Sequence, residues 1–114
     1  FERGSMFWRA DEGRIYVLYE DGQWDQFTDT FQEGEPESDP SLTPPDNRLQ
    51  PVRGFGKVWR EQSTVRERLG WATAKEVGTT AQLQPFERGT MFWINGLIYA
   101  LIEEADGARR WLVV

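Results

Sequence analysis

The chain has 114 residues, 39% of them hydrophobic and 14% aromatic, with a formal net charge of −6. It contains no His and no Cys, which excludes a Cys nucleophile, a His general base, a Ser-His-Asp arrangement, the usual zinc sites and any disulfide. No apolar run approaches the ~20 residues of a membrane-spanning helix, and an acidic balance with dispersed bases argues against a nucleic-acid partner.

The length fits one compact domain or two small units that pack on each other. A first β unit is expected over residues 1–27. Residues 5–9 read as a short apolar strand, Asp11-Glu12-Gly13 as a turn, and Arg14 to Glu20 as a strand rich in β-branched and aromatic residues. Asp21-Gly22 is a hairpin signal, and Gln23 to Phe27 returns. Ile15 to Tyr19 alternates only weakly, which predicts a strand covered on both faces.

Residues 28–49 are expected to form an acidic, Pro-rich linker or loop. Asp29, Glu33, Glu35, Glu37, Asp39 and Asp46 fall in residues 29–47 with four of the six prolines and no base. Outside that stretch, 19 − 6 = 13 acids balance 13 bases. A central segment follows over residues 50–81. Gln50 to Arg53 reads as extended and Gly54 and Gly56 as punctuation, with Lys57 to Glu61 a short helical turn. Thr64 with Glu67 fits a capping box, so Val65 to Leu69 reads as a second short helix ending at Gly70.

Residues 82–114 form the second β unit. Gln82 to Phe86 leads back into strand. Asn95-Gly96 marks a hairpin turn, Leu97 to Glu103 a strand, Asp106-Gly107 another turn, and Arg110 to Val114 the last strand. This unit repeats the first. Phe1 to Trp8 recurs as Phe86 to Trp93 with seven of eight positions identical, at an offset of 85. Gly13, Ile15, Tyr16, Leu18 and Glu20 continue the match as Gly96, Ile98, Tyr99, Leu101 and Glu103. The expected fold is therefore mainly β: two three-stranded meanders related by an internal repeat and a pseudo-twofold, with a short helical insertion between them. Propeller-like and small barrel-like arrangements both fit. The central segment occurs once and the chain starts at Phe1 without Met, so it reads as an excised or processed piece of a longer array.

The order of these pieces resembles the LGFP repeat of exported bacterial cell-envelope proteins over about half the chain. Phe1, Gly4, Met6, Phe7 and Trp8 match its aromatic-glycine strand, Val52, Gly54 and Trp59 its second element, and Leu69-Gly70-Trp71 with Glu76 its third. Ala72 stands where that pattern has Pro. The resemblance implies an extracellular or cell-surface module that binds peptidoglycan or a surface polysaccharide.

Four tryptophans are candidate sugar-stacking platforms: Trp8 and Trp93, equivalent by the repeat, and Trp59 and Trp71, which flank the helical segment. Each is equally a candidate core residue. Glu2-Arg3 and Glu87-Arg88, also repeated, are candidates for hydrogen bonds to glycan hydroxyls or for fixing the strand entry. Glu20, Glu103 and Glu76 are the acids to weigh for glycoside hydrolysis, which needs two carboxylates about 5–9.5 Å apart, but nothing singles out one with a raised pKa. Asp21-Gly22 and Asp106-Gly107 are explained by turns without a metal. The expected function is a non-catalytic binding module without cofactor. The alternative is a structural repeat that stacks with neighbouring copies in a longer surface protein or filament.

Overall fold

The strand-forming segments build two open antiparallel sheets in a computed structural model that describes residues 1–114. The first sheet is the meander β1 (Gly4–Arg9), β2 (Arg14–Tyr19) and β3 (Trp24–Thr28). Two helices follow, α1 (Arg53–Glu61) and α2 (Ser63–Leu69). The second sheet has the order β4 (Gln82–Phe86), β5 (Gly89–Ile94), β6 (Leu97–Glu103) and β7 (Arg109–Val113). It is thus four-stranded where a three-stranded meander was expected, because Gln82–Phe86 pairs along β5 in a hairpin closed at Phe86 and Gly89. Neither sheet closes into a barrel.

The weak alternation of β2 has the expected cause. Ile15, Val17 and Tyr19 point to the helices and join Met6 with Val58, Trp59, Val65 and Leu69 in one core. Tyr16 and Leu18 point the other way and join Trp24 with Phe92, Ile94 and Leu101 of the second sheet. The layers are therefore helices, first sheet, second sheet. Asn95 (φ 51°) and Gly96 (φ 80°) both take the left-handed backbone that a tight β5–β6 turn demands.

The helices depart from expectation at their starts. α1 begins at Arg53 and runs through both glycines read as punctuation. Their role is clearance: a Cβ on Gly54 would lie 2.7 Å from the Asp29 carboxylate, and one on Gly56 would lie 2.5 Å from the Pro51 carbonyl oxygen. The Thr64–Glu67 capping box does not form. Gln62 closes α1 and opens α2, so Thr64 already lies inside the helix and no side chain caps it. Gly70 (φ 74°) ends α2 as expected.

The acidic loop lies along α1. Arg53 pairs with Glu33 and with Glu37 (3.1 Å), and Lys57 pairs with Glu35 (2.9 Å). Gln50 and Asp39 exchange hydrogen bonds across the loop, and Leu42 packs against the helix-side core.

The sheets are stitched by two tryptophans. Trp24 Nε1 donates to the Ile102 carbonyl (3.1 Å), and Trp111 Nε1 donates to the Tyr19 carbonyl (2.7 Å). Arg109 lies over the Trp24 ring at 4.9 Å and approaches Asp25 at 3.5 Å.

Candidate functional site

The four candidate tryptophans do not gather in one groove. Trp59 is 1% exposed. It donates from Nε1 to the Gly70 carbonyl (2.7 Å) and meets the half-buried Trp71 ring at 5.1 Å. This pair belongs to the helix-side core and offers no open ring face at Trp59. Trp8 and Trp93 are 53% and 51% exposed. Trp8 is opposite Ile15 in β2, on the helix-facing side of the first sheet. Trp93 is opposite Ile98 in β6, on the face of the second sheet turned away from the first. The two rings therefore sit on opposite outer faces of the sandwich. Their neighbours Phe7 and Phe92 turn inward and meet edge to face at 6.4 Å.

The two Glu-Arg pairs are used unequally. Arg3 donates from Nε to the Arg68 carbonyl (3.1 Å) and from Nη2 to the Glu67 carbonyl (2.9 Å), at the C-terminal end of α2. Glu2 accepts from the Trp71 amide (2.8 Å) and approaches Arg48 at 3.3 Å. The Trp71 amide, followed by Arg48 and Arg3, holds the Glu2 carboxyl below its usual range. The backbone adds Glu2 N to the Trp71 carbonyl and Arg3 N to the Leu69 carbonyl, both 3.0 Å. Glu2 and Arg3 thus clamp the chain leaving α2. Glu87 and Arg88 are exposed, and their side chains make no hydrogen bond or ion pair.

Glu87 and Arg88 border a polar cleft of about 480 Å³ between the sheets, together with Glu12, Arg14, Gln26 and Glu103. Glu12 accepts from the Tyr16 hydroxyl (2.8 Å) and pairs with Arg9 (3.3 Å), and Arg14 donates to Gln26 (3.2 Å). The cleft is rich in donors and acceptors. The sequence singles out Glu87, Arg88 and Glu103 of this lining but not Glu12, Arg14 or Gln26, which reach it through the docking of one sheet on the other. No group of three or more acidic side chains is arranged to hold a metal ion.

The outer faces of the two sheets carry matched residues at matched register. Met6 is opposite Val17 and Trp8 opposite Ile15; Met91 is opposite Ala100 and Trp93 opposite Ile98. On the first sheet this face is buried, with Ile15 0% exposed. On the second, Ile98 is 37%, Leu112 46% and Phe86 56% exposed, while Met91 is half-buried and Ala100 is 4% exposed. No element covers that second face. No helix is long and apolar enough to cross a membrane. No family model, no curated protein and no solved structure matches the chain.

Proposed function

We propose that this chain is a non-catalytic structural repeat module whose two β units, related by an approximate twofold, stack with further units of a longer surface protein or filament. The observation that carries the reading is the unequal covering of two matched faces, one sealed by helices and the other open. Exposed apolar side chains gathered on one sheet face mark a contact surface. Repeat proteins bury such faces against the next unit. The reciprocal bonds of Trp24 and Trp111 support the twofold, since each sheet offers the other the same donor and a carbonyl at the matching position. The test is a tandem chain of two copies joined head to tail. It should melt cooperatively and above the single chain, by about 2–4 °C for each kcal/mol gained. Melting at the single-chain temperature would remove the reading.

A second reading is favoured by the half-exposed Trp8 and Trp93 and by the polar cleft: an extracellular module binding peptidoglycan or a surface polysaccharide, as the LGFP resemblance implies. Platforms on opposite faces would bridge two polymer strands. Pull-down on whole peptidoglycan, lost on Trp8→Ala with Trp93→Ala, supports it. Absence of binding to any wall or capsular polymer removes it.

A further inference from the structure

We infer that the open face of the second sheet is the seat of a second α1–α2 helix pair, supplied by a neighbouring repeat and latched by its C-terminal Leu-Gly-aromatic turn onto Glu87 and Arg88. This rests on the repeat-module reading and names the occupant of its contact surface.

The first sheet shows what such a face receives. Met6, Ile15 and Val17 pack against Val58, Trp59, Val65 and Leu69. The second sheet presents Met91, Ile98 and Ala100 at the corresponding register, apolar at every position and one side chain smaller at Ala100. The chain's own helices are committed, with Leu69 fully buried on the first sheet, so the occupant is another copy of that segment.

The latch is more specific than the apolar face. The end of a helix exposes unpaired carbonyls and the negative end of the helix dipole, which a guanidinium complements. Arg3 makes that contact with α2, while Glu2 receives the amide that follows the helix. Glu87 and Arg88 repeat the chemistry and lack the partner; they border the cleft between the sheets, so engaging a helix on the outer face turns both exposed side chains toward it. One backbone bond is shared with the first unit: Glu103 N donates to the Arg88 carbonyl (2.8 Å) as Glu20 N does to that of Arg3 (3.0 Å). Gly4 also leaves room for the helix. A Cβ there would come within 2.6 Å of Leu69 Cδ2 and 2.2 Å of the Leu18 carbonyl oxygen. Gly89 has the same bare backbone against Leu101, where a Cβ would lie 2.0 Å from the carbonyl oxygen. Face-to-face pairing of two second sheets would leave both Glu87 and Arg88 unused.

The test extends the full chain after Val114 with a second copy of residues 29–74 and follows amide hydrogen exchange. The added helical segment should exchange at least ~10-fold more slowly than an unfolded peptide. Protection should fall on Arg88→Ala and vanish on Ile98→Glu, while Arg3→Ala loosens only the original helices. The unextended Ile98→Glu chain should keep its melting temperature, because the side chain is already partly in solvent. An added segment that exchanges freely, or protection indifferent to Arg88 and Ile98, overturns the inference. So does unextended protein that dimerises through Ile98 in sedimentation experiments. If the tandem chain is stabilised while the added segment stays unprotected, the module reading stands and this occupant is wrong. If neither responds, both fall.

Discussion

At the scale of single residues, Arg3 and Arg88 are the same letter in the same octet with different work. Arg3 closes two carbonyls at the end of α2, and Arg88 closes none. Charge-assisted bonds to backbone contribute about 1.5–3 kcal/mol each when well shielded and less at an exposed site. Arg3→Ala should therefore cost about 1–2 kcal/mol in urea unfolding, and Arg88→Ala less than about 0.5. Tyr19 sets the alkaline limit. Burial first, then the neighbouring Asp25 carboxylate that accepts from its hydroxyl at 3.1 Å, push its phenol up to about 12. The unfolded chain releases that proton near pH 10 while the folded chain keeps it. Stability is therefore full below pH 10 and declines as pH rises toward 12. The decline should amount to about 2–3 kcal/mol and be clearly shallower in Tyr19→Phe, followed by fluorescence-detected unfolding against pH. Tyr16, also raised by burial, adds a slope of the same sign.

At the scale of elements, the acidic segment is a brace more than a spacer. Hydrogen bonds from Arg53, Lys57 and Ser41 hold the carboxyls of Glu33, Glu35 and Asp39, respectively, below their usual values. Carboxylates lowered in this way support the fold above their unfolded values, near 4.5 for Glu and 3.8 for Asp, and lose that support as pH falls through the folded values. Amide exchange in α1 should therefore accelerate below about pH 4 relative to an intrinsic-rate correction, while β2 stays protected. Unchanged α1 protection at pH 3 would contradict the brace. The strands were legible because turn residues and β-rich runs act locally, as at Asn95-Gly96. The start of α1 was not, since Gly54 and Gly56 are chosen for their neighbours, Asp29 and Pro51, and only the folded chain brings these together. The missing capping box has a similar cause: Gln62 serves both helices and leaves Thr64 no terminal position to cap.

At the scale of the whole molecule, the repeat was plain in the sequence, but which matched residue lies inside was not. Ile15 and Ile98 are equivalent letters with opposite fates, decided by whether a helix pair lies above them. Trp59 reads like Trp8 in isolation, yet the Gly70 carbonyl and the helix-side core claim it. The polar cleft was invisible because its two walls come from different sheets. The seam between the sheets should be sensitive to its tryptophans. Trp24→Phe and Trp111→Phe each remove a hydrogen bond across the seam and part of a packed ring, at about 1–3 kcal/mol apiece. Because the two rings pin the same pair of sheets, the double variant should deviate from additivity by more than about 0.5 kcal/mol in a thermodynamic cycle.

The reciprocal tryptophan bonds carry one more consequence. A surface that joins two units by giving each the same donor and the same acceptor does not distinguish its own chain from a neighbour's. What favours the internal pairing is tethering: of the residues between the sheets, those up to Ala72 belong to the body packed on the first sheet, and Thr73 to Ala81 form the link to the second. Such a tether holds its ends at an effective concentration in the millimolar range or below. Above that concentration, or after refolding from a dense solution, the units should trade partners and yield closed dimers by strand-unit exchange. Size-exclusion chromatography should resolve these as a species that reverts to monomer slowly after dilution.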